Sequence, residues 1–219
     1  MTAFIRFISV LLTASILTAC VSTAAKPVAE KRVAVQTSKG KVMLPAGYAK
    51  MINDFPDPDP KLLEPIPISN VKSPYGRADL GEFFEIVFQS LSELMAAQDE
   101  FTRAGENSTR SPEFFETAKK LDDDWKKVTG RFLNADFRDS EIKALVKRRV
   151  EINILTSKVL EYLIKHQKTL MSEGEKDPEI NRLGVMASRE KINKVQEGIK
   201  RSNAEMLKAV RALKKKYSL

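Results

Sequence analysis

Residues 112–134 read PEFFETAKKLDDDWKKVTGRFLN, and the spacing of their apolar side chains decides the fold class. Phe114, Ala118, Leu121, Trp125, Val128 and Phe132 recur at alternating intervals of four and three. At 3.6 residues per turn that spacing gathers all six on one face of an α-helix. Ser111-Pro112 supplies the start signal, a side-chain oxygen for an orphan N–H followed by a proline where the missing donor costs nothing. Asn134-Ala135-Asp136 supplies the stop.

The same stripe recurs on either side. Upstream, Leu80, Phe84, Val87, Leu91, Leu94, Gln98 and Phe101 form a seam, with Asp79 as N-cap, Glu82 as its capping-box partner and Gly105 as a C-terminal stop. Downstream of Asp139, a second capping residue, Ile142, Leu145, Ile152, Leu155, Val159, Leu163 and Leu170 line one face, and Val146, Val150, Ile154 and Ile164 widen it. After Gly174 and the cap Asp177-Pro178 come Ile192, Val195, Ile199, Met206, Val210, Leu213 and Tyr217.

Four such helices with short connections predict an all-α antiparallel bundle over residues 79–219. The last two helices are the longest, about 50 and 60 Å at 1.5 Å per residue. Either they project as a long C-terminal hairpin, the preferred reading, or Gly184 and Gly198 break the fourth helix. A projecting seam, Ile199 included, would need a partner, which makes a homo-oligomer possible.

Eight of the ten prolines fall before this domain, from Pro27 to Pro74. Proline fixes φ and lacks the N–H, so residues 20–78 read as an extended tether without helix or central strand. Residues 39–48 read as extended coil lying on the helices, with a short hairpin or docking segment, for which they carry enough apolar and turn residues, as the alternative. Asp57 and Asp59, at alternate positions among prolines, lack the Gly and terminal Glu that a calcium loop needs.

At the N-terminus, Arg6 precedes an apolar run from Phe7 to Leu17 and then the small residues Thr18 and Ala19. This is the layout of a cleaved secretory signal over residues 1–19, too short for a spanning helix of about 20 residues. Leu17-Thr18-Ala19-Cys20 resembles the lipobox of bacterial prolipoproteins. The resemblance implies lipid (palmitate among the acyl chains) on Cys20 as the mature N-terminus, a cell-envelope location and attachment to a membrane. Val21, where the inner-membrane retention signal has Asp, implies the outer membrane, facing the periplasm. It says nothing about the domain that follows.

Little chemistry remains. Cys20 is the only cysteine, so its lipidation leaves no thiol, and His166 is the only histidine. Disulfides, thiolate nucleophiles and multi-histidine metal sites are thereby excluded. Asp122-Asp123-Asp124 point about 100° apart on a helix and read as a solvated face rather than a metal site. No catalytic residue, cofactor or metal is expected, and a cell-wall lytic enzyme is only a minor alternative.

Charge is more telling. The net charge is +8, and residues 189–219 hold ten basic against three acidic side chains. Lys200, Arg201, Lys208, Arg211, Lys214, Lys215 and Lys216 are candidate contacts to an anionic surface. The leading expectation is a non-catalytic protein-interaction or scaffold module of the envelope. The alternative is a basic helix that binds a polyanion directly: peptidoglycan-associated acid, lipopolysaccharide or anionic lipid. Nucleic acid fits neither the address nor the lack of a stacking platform.

Overall fold

The computed structural model describes residues 32–37, 40–109, 111–168 and 178–219. Among them the regular structure is helical apart from one antiparallel pair of strands, β1 (Arg32–Thr37) and β2 (Gly40–Pro45). A short helix α1 (Ala46–Asn53) and a 3-10 turn (Pro60–Leu63) follow. The long helices are α2 (Gly76–Asn107), α3 (Pro112–Asn134), α4 (Ser140–Lys165) and α5 (Pro178–Tyr217).

Pairs between neighbours fix the antiparallel order. Glu100 meets Lys120 and Glu93 meets Arg131 between α2 and α3. Asp122 accepts a bond from Ser157 between α3 and α4. Glu141 meets Lys216, and Asp139 meets Tyr217, between α4 and α5. The interior is one continuous apolar cluster with contributions from all four helices. The expected stripes on α3 and α5 are buried throughout.

The stripe on α2 is rotated from its expected position. Phe83 and Ile86 fill the core beside Leu80, Leu94 and Phe101, while Phe84, Val87 and Leu91 are only half-buried. Phe83-Phe84 and Ile86-Val87 offer adjacent apolar residues, so spacing alone fits either face. On α4 most of the stripe is buried, but Ile154 is exposed.

Two caps stand where the sequence puts them. Ser111 Oγ accepts from the Phe114 N–H at 3.1 Å, and Asp139 Oδ1 accepts from the N–H groups of Glu141 and Ile142. Asp79 does not cap α2, which begins three residues earlier at Gly76. Its carboxylate instead accepts from the N–H groups of Arg138 and Asp139, at 2.6 Å each, and ties the start of α2 to the start of α4. The capping-box role of Glu82 goes with it. Nor does α2 stop at Gly105, since it runs to Asn107. Leu170, Gly174 and Asp177 lie outside the described residues.

The tether reading of residues 20–78 needs the largest correction. From Arg32 the chain is folded and docked. No proline falls between Pro27 and Pro45 or between Pro45 and Pro56, which leaves room for the strands and α1. Val33 and Val35 pair with Leu44 and Val42 in the hairpin register. Gly40 opens β2 at φ 114°, a backbone region that L side chains rarely adopt. Val35, Leu44, Ala49 and Ile52 then close a second small core over Ala187 of α5.

Residues 54–73 form a strap laid between α4 and α5. Phe55 packs edge-on against Tyr162 with centroids 4.8 Å apart, and Leu62 and Ile66 enter the main core. Arg148 of α4 donates to the carbonyls of Leu62 and Glu64 at 2.7 and 2.9 Å. The strap's prolines suit this role, because it satisfies its carbonyls through a side chain and needs no ladder N–H.

This cladding also answers how the long fourth helix is accommodated. Neither glycine breaks α5, which is continuous from Pro178 to Tyr217. A Cβ on Gly198 would lie 3.0 Å from Pro58, and one on Gly184 would lie 3.4 Å from Tyr48. The glycines let the preceding segment approach closely. The hairpin therefore does not project with a bare seam, and Ile199 is buried within its own chain.

Candidate functional site

The basic half of α5 divides into cations used inside the protein and cations left at the surface. Lys191 and Lys194 both hold Asp57 of the strap, at 3.2 and 2.9 Å. Their hydrogen bonds, that of Lys194 foremost, keep the Asp57 carboxyl below its ordinary range. Lys216 is withdrawn too. It pairs with Glu141 at 2.5 Å, and its side chain is only 7 % exposed. Burial opposes its charge, but Glu141 outweighs that and raises its pKa. Lys216 is thus removed from the anionic-surface contacts, because α5 ends against the start of α4 and turns this lysine inward.

The other six candidates are exposed. Arg201 pairs with Glu197 and Lys208 with Glu205 on the same helix. Lys214 sits 5.5 Å from the ring centre of Phe84 on α2. Lys200, Arg211 and Lys214, with Ala204 and Leu207 between them, recur at intervals of four and three and form one stripe. Lys215, about 100° on from Lys214, is exposed but lies off that stripe.

The contact between Lys214 and Phe84 brings a second stripe alongside. Phe84, Phe88, Leu91 and Met95 share one face of α2, again at intervals of four, three and four. Phe88 is 68 % exposed and Met95 42 %. α2 and α5 run antiparallel, and the basic row meets the apolar row where Lys214 lies against Phe84. The basic row was visible in the sequence. The apolar one was not, since Phe84 and Leu91 were assigned to the core and Phe88 to no stripe.

Other chemically capable groups serve the interior. His166, 8 % exposed, lies 3.3 Å from Asp54 at the end of α4, and burial lowers its pKa against the pull of that carboxylate. Asp122 is not solvated as expected: it is buried, bound to Ser157 and Lys126. Asp139 accepts bonds from two backbone N–H groups and from the Tyr217 hydroxyl. Burial works against its charge, but these bonds hold its pKa below the ordinary value.

One interior feature escaped the sequence reading. Gln98, Trp125, Asn153 and Ser202 come from four different helices, and the interhelical pairs place them at about the same height in the bundle. Each is buried, and each has a side-chain polar atom that bonds to no described residue. Gln98, Asn153 and Ser202 interrupt otherwise apolar faces, which was the available signal.

Leu17, Thr18, Ala19 and Cys20 lie outside the described residues. Among those described, no helix is long and apolar enough to cross a membrane. The fold and its surface define a helical bundle clad by an N-terminal hairpin and strap, with a basic and apolar face on α2 and α5. No family model matches the sequence, and neither a curated protein nor a solved structure matches it.

Proposed function

We propose that this chain is a lipid-anchored lipoprotein of the bacterial cell envelope, held by acyl chains on Cys20, whose bundle is a non-catalytic interaction module facing the periplasm. The observation that carries the module reading is the division of cations on α5. Some clamp the strap and the start of α4, while Lys200, Arg211 and Lys215 stand at the surface without a described ion-pair partner. The non-catalytic reading draws support from His166, Asp122 and Asp139, each committed to packing or to holding helix ends.

The folded hairpin changes what the anchor does. With β1 starting at Arg32, only eleven residues separate it from Cys20, a reach of at most about 40 Å. The bundle then works close to its membrane. Two or more acyl chains make such an anchor effectively permanent.

Expression in a Gram-negative host with a palmitate analogue, followed by crosslinking in the envelope, tests the reading. Label on the wild type and none on Cys20→Ala, with crosslinked species that depend on the label, is the expected result. An unlabelled wild type overturns the anchor, and the absence of any crosslinked species overturns the interaction module. A direct polyanion contact is the second reading, favoured by the same exposed row.

A further inference from the structure

We infer that the face shared by α2 and α5 seats the bundle on an anionic lipid surface, with Phe88 and Met95 entering the boundary between head groups and acyl chains. Phe84, Phe88, Leu91 and Met95 supply the apolar row; Lys200, Arg211 and Lys214 supply the basic row beside it. The Lys214–Phe84 contact at 5.5 Å joins the two rows at one end. An apolar row bordered by lysine and arginine is the composition of a helix lying in a membrane interface, where bases meet lipid phosphates and aromatic rings displace head-group water.

Geometry selects this occupant. Phe88 is 68 % exposed and stands out from the surface, so it suits insertion into a soft boundary rather than reception of a partner helix in a groove. A second copy related by a two-fold axis would set the basic row against its equivalent or against the apolar row, and neither pairing matches charge with charge. Of the nearby acids, Glu93 is held by Arg131 on the α3 side and Glu85 accepts from Gln89, while Asp99, one turn beyond Met95, is exposed at the far end of the apolar row. On the α5 stripe itself no acid interrupts Lys200 to Lys214.

Proximity to a bilayer rests on the lipid-anchored reading; affinity for one does not. The probe is therefore the chain from Val21 onward, which lacks the anchor and keeps both apolar cores. Sedimentation is measured with phosphatidylglycerol–phosphatidylcholine vesicles and with phosphatidylcholine alone. Binding to the anionic vesicles only is expected, weakened about tenfold by Phe88→Asp and by the pair Lys200→Glu/Arg211→Glu, and reduced by salt. The substituted side chains are exposed, so unchanged thermal unfolding shows that the variants fold. Equal binding to both vesicles, no binding to either, or binding that Phe88→Asp leaves intact overturns the inference. So does capture of an acidic amphipathic peptide in place of vesicles. Failure of the palmitate label would remove the anchor and leave this result standing.

Discussion

The Tyr217 hydroxyl donates to Oδ2 of Asp139 at 2.8 Å and accepts from the N–H of Ser73 at 3.2 Å, so one side chain at the end of α5 fastens both the start of α4 and the end of the strap. Asp79 completes the junction through the N–H groups of Arg138 and Asp139. Tyr217→Phe keeps the ring and removes both bonds, leaving a carboxylate oxygen and an N–H short of a partner. A loss of about 1–3 kcal/mol in urea unfolding is expected. A loss too small to measure would show that the junction carries little.

Gly76 touches the same ring. A Cβ there would fall 2.0 Å from Tyr217 Cζ, whereas one on Gly81 would meet nothing within 4 Å. Both residues lie in α2, so helix propensity favours alanine at each. Gly81→Ala is expected to be neutral or to stabilise by up to about 1 kcal/mol, and Gly76→Ala to destabilise by several times that. Thermal melts of the two single variants make the comparison. Similar effects would contradict the close packing of Tyr217.

Arg148 is the strap's polar anchor. Arg148→Ala leaves the carbonyls of Leu62 and Glu64 without their donor and is expected to cost about 2–3 kcal/mol. Limited proteolysis provides the specific readout: cleavage should appear within residues 59–68 before the long helices are cut. Uniform cleavage would show that strap and bundle unfold together.

The buried polar layer gives a prediction of opposite sign. Asn153 is 0 % exposed, and neither its oxygen nor its nitrogen bonds to a described residue. Asn153→Leu, which keeps the branched skeleton and replaces the amide by methyl groups, is expected to stabilise by about 1 kcal/mol in chemical denaturation. Destabilisation would mean that the amide is satisfied within the native bundle.

Acid should act in two windows. His166 has a folded pKa below its ordinary 6.5, chiefly through burial, so the unfolded chain binds the proton more readily and stability falls as pH drops below 6.5. Asp139 and Glu141 also have lowered values, from ordinary values of 3.8 and 4.5, and their contribution is lost as pH falls below 4.5. Stability measured against pH should show both declines, and His166→Gln should abolish only the first. A single decline in the wild type would contradict the assignment to His166.

How far the sequence spoke depended on the physics of each element. The α3 and α5 stripes were legible because single apolar residues stand at each repeat. The α2 face was ambiguous where Phe83 adjoins Phe84. The strap was misread because proline content excludes regular ladders but not docking, and docking here depends on Arg148, Glu141 and Lys191, more than 70 residues downstream. The exposed lysines of the candidate face could be named in advance. The fate of Lys216 could not, since it depends on where α5 meets α4, and the apolar neighbour on α2 emerged only from the rotation of that helix.

The most direct test of the account is the intact mass of the mature protein recovered from a bacterial envelope. A chain beginning at Cys20 and carrying the mass of diacylglycerol with a further acyl chain is the predicted result. A chain that keeps residues 1–19, or one that begins elsewhere with an unmodified Cys20 thiol, would contradict it.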